Sequence, residues 1–274
     1  MIRRIFLLLA LILIAAPASW ATDNAPFITV ASTTSTKNSG LYDYLLPHFT
    51  SETGIEVRVL AVGTGQAIRV AKSGDADVSL VHHKKSELAF VAGGYGVERF
   101  DVMYNDFVIV GPKTDPAAIK GITDVSVALN QIASSGTPFT SRGDDSGTHK
   151  KELSLWAEAG IDVVSQSGAW YRETGSGMGA TLNTASGMNA YALTDRSTWL
   201  KFANKGDLAI LVEGDERMFN PYGIILVNPE RHAHIKAELG QRFVDWIISA
   251  PAQALINAYT INGVQAFFAS AAAS

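Results

Sequence analysis

Phe27-Ile28-Thr29-Val30-Ala31 runs without a break into Ser32-Thr33-Thr34-Ser35-Thr36, and residues 40–53 and Glu56-Val57-Arg58-Val59-Leu60 follow it. The first five residues favour a strand. Residues 40–53 place Leu41, Tyr44, Leu45 and Phe49 at helical spacing, and residues 56–60 alternate. The sequence therefore reads strand, loop, helix, strand. A second unit continues it, with a helix over residues 66–73 closed by Gly74, a strand over 76–81 and a helix over 86–92. Alternation of this kind predicts an α/β fold with a mainly parallel sheet and helices on both faces.

The texture changes at residues 104–112, Tyr-Asn-Asp-Phe-Val-Ile-Val-Gly-Pro, and a look-alike recurs at residues 219–229. Each is an aromatic residue and Asn, then a β run, then Pro. They are read as paired hinge strands crossing between two lobes; the alternative is two unrelated strands that share turn residues. Helices are expected between them over residues 117–130, 150–159 and 179–193, and after the return over 233–249 and 252–257. In the first of the closing helices Ile235, Leu239, Phe243, Trp246 and Ile247 mark one apolar face, which suits core packing. The division that follows is residues 22–108 with 223–274 for lobe 1 and 109–222 for lobe 2.

Working outward to the N-terminus, Arg3 and Arg4 precede an apolar run over residues 5–16, and Ser19-Trp20-Ala21 fits a cleavage site. Residues 1–21 read as a signal peptide that directs a soluble protein to the periplasm; an uncleaved anchor and a twin-arginine signal are the alternatives. About 250 residues remain, enough for two modest domains without staples. The chain has no cysteine, which removes thiolate catalysis and Cys-ligated metal or iron–sulfur sites. A net charge of −4 argues against a nucleic-acid surface, so any anion site must be local.

Four loops have the composition of such a site. The hydroxyl run Ser32, Thr33, Thr34 and Ser35 lies between a strand and a helix, where free amide groups and hydroxyls converge; five consecutive hydroxyl residues exceed what a helix cap requires. Gly63-Thr64-Gly65-Gln66 repeats the arrangement but lacks the Lys-Ser/Thr ending of a nucleotide-binding loop. Residues 141–149 bring Arg142, Ser146 and Thr148 to a third helix start. The guanidinium offers a planar fork to an oxyanion, or else pairs internally with Asp144 or Asp145; the two can coexist. Residues 173–182, with Gly177, Met178 and Gly179, read as a backbone cradle or as a plain connector. Loops at the carboxyl ends of strands face one cleft in open α/β sheets. His82 and His149 are placed at its border. The pairs His82-His83 and His232-x-His234 lack the supporting ligands a metal site needs, so no metal is expected. Asp145-Ser146-Gly147 evokes a serine-protease fragment without the rest of that pattern, and a secreted serine-dependent hydrolase using Ser146 or His149 stands as the rival from another class.

Taken in order, V-A-S-T-T-S-T, A-V-G-T-G-Q-A, L-V-H, G-G-Y-G, Y-N-D-F-V-I-V-G-P, S-R-G-D-D-S-G-T-H and E-T-G-S-G-M-G-A-T-L give the chain its resemblance. Over nearly its whole mature length it is similar to the tungstate-binding protein family of ABC transporters, related to molybdate- and sulfate-type solute-binding proteins. The resemblance implies a two-lobed periplasmic-binding-protein (type II) fold that closes on the anion. Its principal contacts are a T-T-T-S-like segment, here Ser32-Thr33-Thr34-Ser35, and the arginine of the R-G-D motif, Arg142. Serine stands in place of the first threonine and keeps the hydroxyl. The expected function is capture of a tetrahedral oxyanion, with tungstate first and molybdate, sulfate or phosphate as alternatives. Delivery is to a permease in the inner membrane, by a monomer that uses no cofactor and catalyses no reaction. An unpaired carboxylate in the cleft repels a dianion. Asp144 or Asp145 in the cleft therefore favours hydrogen phosphate, whereas both tied to Arg142 or solvent favour tungstate or molybdate.

Overall fold

The computed structural model describes residues 25–272; the expected signal peptide lies outside them. The opening βαβ reading holds. Strand β1 (Phe27–Thr33) leads through a short helix α1 (Thr34–Ser39) into α2 (Leu41–Thr53), and β2 (Glu56–Val62) returns parallel to β1. The hydroxyl run is itself the start of α1, with Thr33 as its cap. Gly40, at φ 81°, makes the joint to α2 in a left-handed conformation that glycine adopts without strain. Helix α3 (Thr64–Ser73), strand β3 (Val78–Val81) and helix α4 (Lys84–Ala92) complete the second unit, with β3 parallel to β1.

The sheet is mixed, not mainly parallel. Strand β4 (Gly96–Pro112) lies parallel to β3 but not beside it, because β9 (Phe219–Val227) is inserted between them and runs antiparallel to both. A strand arriving from more than a hundred residues away can lie antiparallel without a crossover helix of its own, which the local alternation of strand and helix cannot reveal. The look-alike segments meet in register: Tyr104 faces Pro221, Asn105 faces Asn220 and Asp106 faces Phe219.

Between Asp106 and Phe107 strand β4 changes partners. Helix α5 (Val125–Ser135), strand β5 (Phe139–Ser141), helix α6 (Gly147–Glu158), strand β6 (Tyr171–Glu173) and helix α7 (Met178–Met188) precede β7 (Ala192–Asp195), which pairs antiparallel with residues 107–110. After α8 (Arg196–Lys201), strand β8 (Leu208–Val212) covers the other side of residues 109–112. The chain closes with α9 (Ala237–Ile248), α10 (Ala250–Ala258), the small hairpin β10 (Thr260–Ile261) and β11 (Val264–Gln265), and β12 (Phe268–Ala269) against β4.

The core follows the pleat. Phe107 and Ile109 pack on one side of β4 with Trp156 and Tyr191, while Val108 and Val110 pack on the other with Leu182 and Trp199. Upstream, Ile28, Val30, Val78 and Ile224 join Phe49, Phe243 and Ile247, whereas Ala31, Val81 and Ile225 face Ala67 and Phe90. The first half of β4 and its second half therefore belong to separate cores, each with two faces buried at period two. Of the expected apolar face on α9, Phe243, Trp246 and Ile247 are buried and Leu239 packs at the edge; Ile235 precedes the helix and joins the opposite core.

Three helices depart furthest from the periodic reading. The expected helix at 117–130 begins only at Val125, where the Asp124 carboxylate accepts from the amides of Ser126 and Val127. Ala118 and Gly121 take positive φ in the turns before it. Helix α7 stops at Met188 because Asn189 turns left-handed, and residues 192–193 are strand. Helix α9 starts at Ala237 because His232 and His234 bond to the carbonyls of Lys72 and Gly74 across the fold.

Candidate anion-binding site

Three helix starts converge beyond the ends of β1, β2 and β5. Thr33 caps α1 and its Oγ1 lies 2.7 Å from Thr36 Oγ1 and 3.2 Å from Ser35 Oγ. Thr64 opens α3 after Gly63, which offers no side-chain cap, so amides of the first turn stay free. Ser146 caps α6, its Oγ accepting from the amide of His149 at 3.2 Å. A Cβ on Gly147 would come within 2.9 Å of Thr64 Oγ1 and 3.0 Å of His82 Cε1, so this glycine lets α6 approach α3. Between these starts lies a narrow chamber of about 10 Å³, lined by Thr33, Thr34, Ser35, Thr64 and His82 on one side and Arg142, Ser146, Gly147 and Thr148 on the other.

The chamber adjoins a wider cleft of about 450 Å³. Thr34, Ser35 and Arg142 line both; Gly177, Met178 and Gly179 line only the cleft, together with Asn38, Thr198, Lys201 and Phe202. Gly177 caps α7 without a side-chain bond, so its first-turn amides are also unclaimed by a cap. Seven of the expected residues, Thr33, Thr34, Ser35, Thr64, Arg142, Ser146 and Thr148, thus meet in the chamber. Ser32 does not join them. Its hydroxyl is fully buried, donates to the Leu80 carbonyl at 2.7 Å and sits 2.5 Å from Tyr42 Oη, on the side of the strand that faces α2.

Arg142 is 7 % exposed, and it donates through Nε and Nη2 to the single oxygen Oδ2 of Asp144, at 3.1 and 2.6 Å. Among the described residues Nη1 has no hydrogen-bond acceptor, so the guanidinium is neutralised on one edge and open on the other. Burial opposes the charge of Asp144, but the bonds from Ser146 and Arg142 outweigh it and hold its carboxyl below the usual range. Asp145 points outward to Lys150. Neither aspartate lines the chamber or the cleft.

His82 does line the chamber, as expected, and it is buried. Its Nδ1 lies 3.0 Å from Asn220 Oδ1, and Asn220 Nδ2 donates to Asn105 Oδ1 at 2.7 Å. Its Nε2 lies 3.3 Å from Ser35 Oγ. Burial, only partly opposed by the nearby Asp195 carboxylate, brings its pKa down to about 4, so the ring is neutral at pH 7. His149 lines neither space. Its Nδ1 accepts from the amide of Asp145, and among the described residues no hydrogen bond joins its ring to Ser146 Oγ. Ser146 therefore acts as a cap and lacks the positioned base that a nucleophile needs.

On the far side of His82 and Gly147 a cleft of about 230 Å³ is lined by Lys84, Lys85, Lys150 and Lys151. The charge is positive here although the chain as a whole is acidic. No signal of spacing foretold Asn38, Thr198, Lys201 or Phe202; they come from elements far apart in sequence. Asn105 and Asn220 did have a signal, since an Asn repeated before two apolar β runs must find a polar partner once buried.

Comparison with known proteins agrees with this layout. The family described as PBP superfamily domain matches residues 17–251, which places the chain among proteins of the periplasmic-binding class. The tungstate-binding protein TupA of Peptoclostridium acidaminophilum is 52% identical over 234 residues, 85% of this chain and 81% of that protein. Two solved structures are similar along their whole length. The tungstate-binding protein TupA from Desulfovibrio alaskensis G20 is 45% identical, with a TM-score of 0.82, over 90% of this chain and 100% of that one. The tungstate ABC transporter structure from Geobacter sulfurreducens is 47% identical, with a TM-score of 0.78, over 85% and 98%. The chain belongs to the tungstate-binding protein TupA family.

Proposed function

We propose that this protein is the solute-binding component of a tungstate ABC transporter and that it captures the anion where the chamber opens into the cleft. Thr34, Ser35 and Arg142 line both spaces, and an oxyanion larger than one water needs both. No bond is made or broken. Water around the dianion is exchanged for hydroxyls and amides held at helix starts, plus the open edge of Arg142. Tungstate is the first ligand, in keeping with what the TupA relatives are named for, and molybdate is the nearest competitor.

One observation carries this reading: among the described residues, those lining the site include donors and a guanidinium but no carboxylate. Asp144 is turned into Arg142 and Asp145 into Lys150. A site without a free carboxylate does not repel a dianion, and it offers hydrogen phosphate no charged acceptor for its hydroxyl.

The parting of the two cores at Asp106/Phe107 supports two lobes, residues 22–108 with 223–274 and residues 109–222, hinged on β4 and β9. Closure of the lobes then completes the shell. The partner is an inner-membrane permease, the protein acts as a monomer, and residues 1–21 direct it to the periplasm. Calorimetric titration of residues 22–274 with tungstate, molybdate, sulfate and phosphate at neutral pH tests the reading. Tight one-to-one tungstate binding with weak phosphate binding is expected; a preference for phosphate, or no response to any of the four, contradicts it.

A further inference from the structure

His82 stands out in a site otherwise built of donors. The amide of Asn220 presents Oδ1 to the ring at 3.0 Å and donates through Nδ2 to Asn105 Oδ1. Nδ1 of His82 then carries the hydrogen, and Nε2 faces the chamber as a bare lone pair 3.3 Å from Ser35 Oγ. When the ring is neutral, the only hydrogen of Ser35 satisfies that lone pair, and the dianion meets two acceptors where it needs donors. A proton on Nε2 reverses both: Nε2 donates to Ser35 Oγ or to the anion, and the Ser35 hydrogen is released toward the anion.

We infer, on the reading that the chamber is the oxyanion site, that the protein binds its dianion together with one proton, which is taken from solvent and held on Nε2 of His82. His82 is then a specificity-determining residue as well as a binding one. A dianion supplies the negative charge that holds the proton; a monoanion supplies half of it.

The charges around the ring are mixed. Asp195, at the end of β7, favours the cation, while His83, Arg142 and the ammonium groups of Lys84, Lys85, Lys150 and Lys151 in the cleft on its far side disfavour it. The Tyr222 ring lies 4.8 Å away and contributes no charge, and Gly147, Ser35 and Asn220 bring none. Burial first, then His83 and Arg142, hold the ring neutral; a dianion between Arg142 and His82 cancels the repulsion and raises the ring's affinity for a proton. By linkage, affinity is greatest below the pKa of the anion-free ring, falls by up to about tenfold per pH unit from there to the bound-state pKa, and levels off above it.

The test is calorimetric titration of residues 22–274 with sodium tungstate at pH 7 in two buffers of different protonation enthalpy, repeated up to pH 9. Uptake of close to one proton per anion is expected, falling as pH rises. In the ¹⁵N imidazole spectrum His82 should pass from the neutral Nδ1–H tautomer to the doubly protonated form on adding tungstate. His82→Gln, whose amide is a permanent donor, should bind with no proton uptake and a flat pH profile. Tight binding without uptake, uptake that persists in His82→Gln, or a His82 that stays neutral in the complex overturns the inference and leaves the site intact. Absence of tungstate binding at every pH overturns the site itself. The wild-type uptake and spectrum decide the matter even where the variant fails to fold.

Discussion

Arg142 and Arg196 are both arginines held against an aspartate in the interior, yet their surroundings differ. Arg196 grips Asp106 with Nε and Nη2 on separate oxygens, at 2.7 and 2.5 Å, and Nη2 also reaches Glu213 at 2.8 Å. Arg142 places both donors on one oxygen of Asp144 and leaves Nη1 open beside the chamber. One pair fastens the place where β4 changes partners, and the other holds a charge in readiness. Burial and a nearby carboxylate do not distinguish a structural from a ligand-binding arginine. What the guanidinium faces does: hydroxyls at helix starts for Arg142, and the rings of Tyr104, Phe219 and Phe268 for Arg196.

The contrast is broken most directly by removing each guanidinium in turn. Arg196→Ala strands the mostly buried Asp106 and is expected to cost toward the lower end of about 3–5 kcal/mol in stability, read by denaturant unfolding, while tungstate affinity in the folded protein changes little. Arg142→Ala should do the reverse: affinity falls by about 100-fold or more, equivalent to roughly 3 kcal/mol for a charge-assisted contact, with a smaller change in unfolding. Equal effects of the two on affinity would erase the distinction.

The same contrast is sharpened among the serines. Ser146→Ala removes the α6 cap and a chamber hydroxyl, and should lower stability by about 1 kcal/mol and tungstate affinity by about tenfold. Ser32→Ala removes a hydroxyl already bonded to Leu80 and near Tyr42, and should cost about 1 kcal/mol in unfolding while leaving affinity within about twofold.

The last expected effect is read in stability alone and depends on pH. Glu152 on α6 is buried, accepts from Tyr171 Oη at 2.5 Å, and burial pushes its carboxyl up to about 8. A protonated carboxyl in the fold and an ionised one in the unfolded chain mean that stability is unaffected below the ordinary value of 4.5. It then declines as pH rises from there toward 8. Glu152→Gln removes the decline, so its melting temperature relative to wild type should be higher at pH 8 than at pH 5.

Much of the site was legible because its chemistry is local. A run of hydroxyls after a strand, and an arginine, serine and threonine before a helix, announce anion-binding helix starts without knowledge of the tertiary structure. Ser32 shows where that legibility stops: it still pairs within β1, against Ala61 and Leu80, so the period of the strand directs its side chain away from Thr33 and into α2. The insertion of β9 between β3 and β4, and the meeting of Asn105, Asn220 and His82, depend on contacts across more than a hundred residues. The repeated aromatic-Asn segments pointed to a pairing but not to the hydrogen-bonded chain it would build toward the anion.

A crystal structure of residues 22–274 grown with sodium tungstate, located by the anomalous scattering of tungsten, tests the central claim most directly. The expected result is one tungsten site where the chamber meets the cleft, with its oxygens at about 2.7–3.1 Å from Arg142 and from hydroxyls of the Thr33–Ser35 and Ser146–Thr148 helix starts. Tungsten bound instead among Lys84, Lys85, Lys150 and Lys151, or a complex in which Arg142 contacts only Asp144, would contradict it.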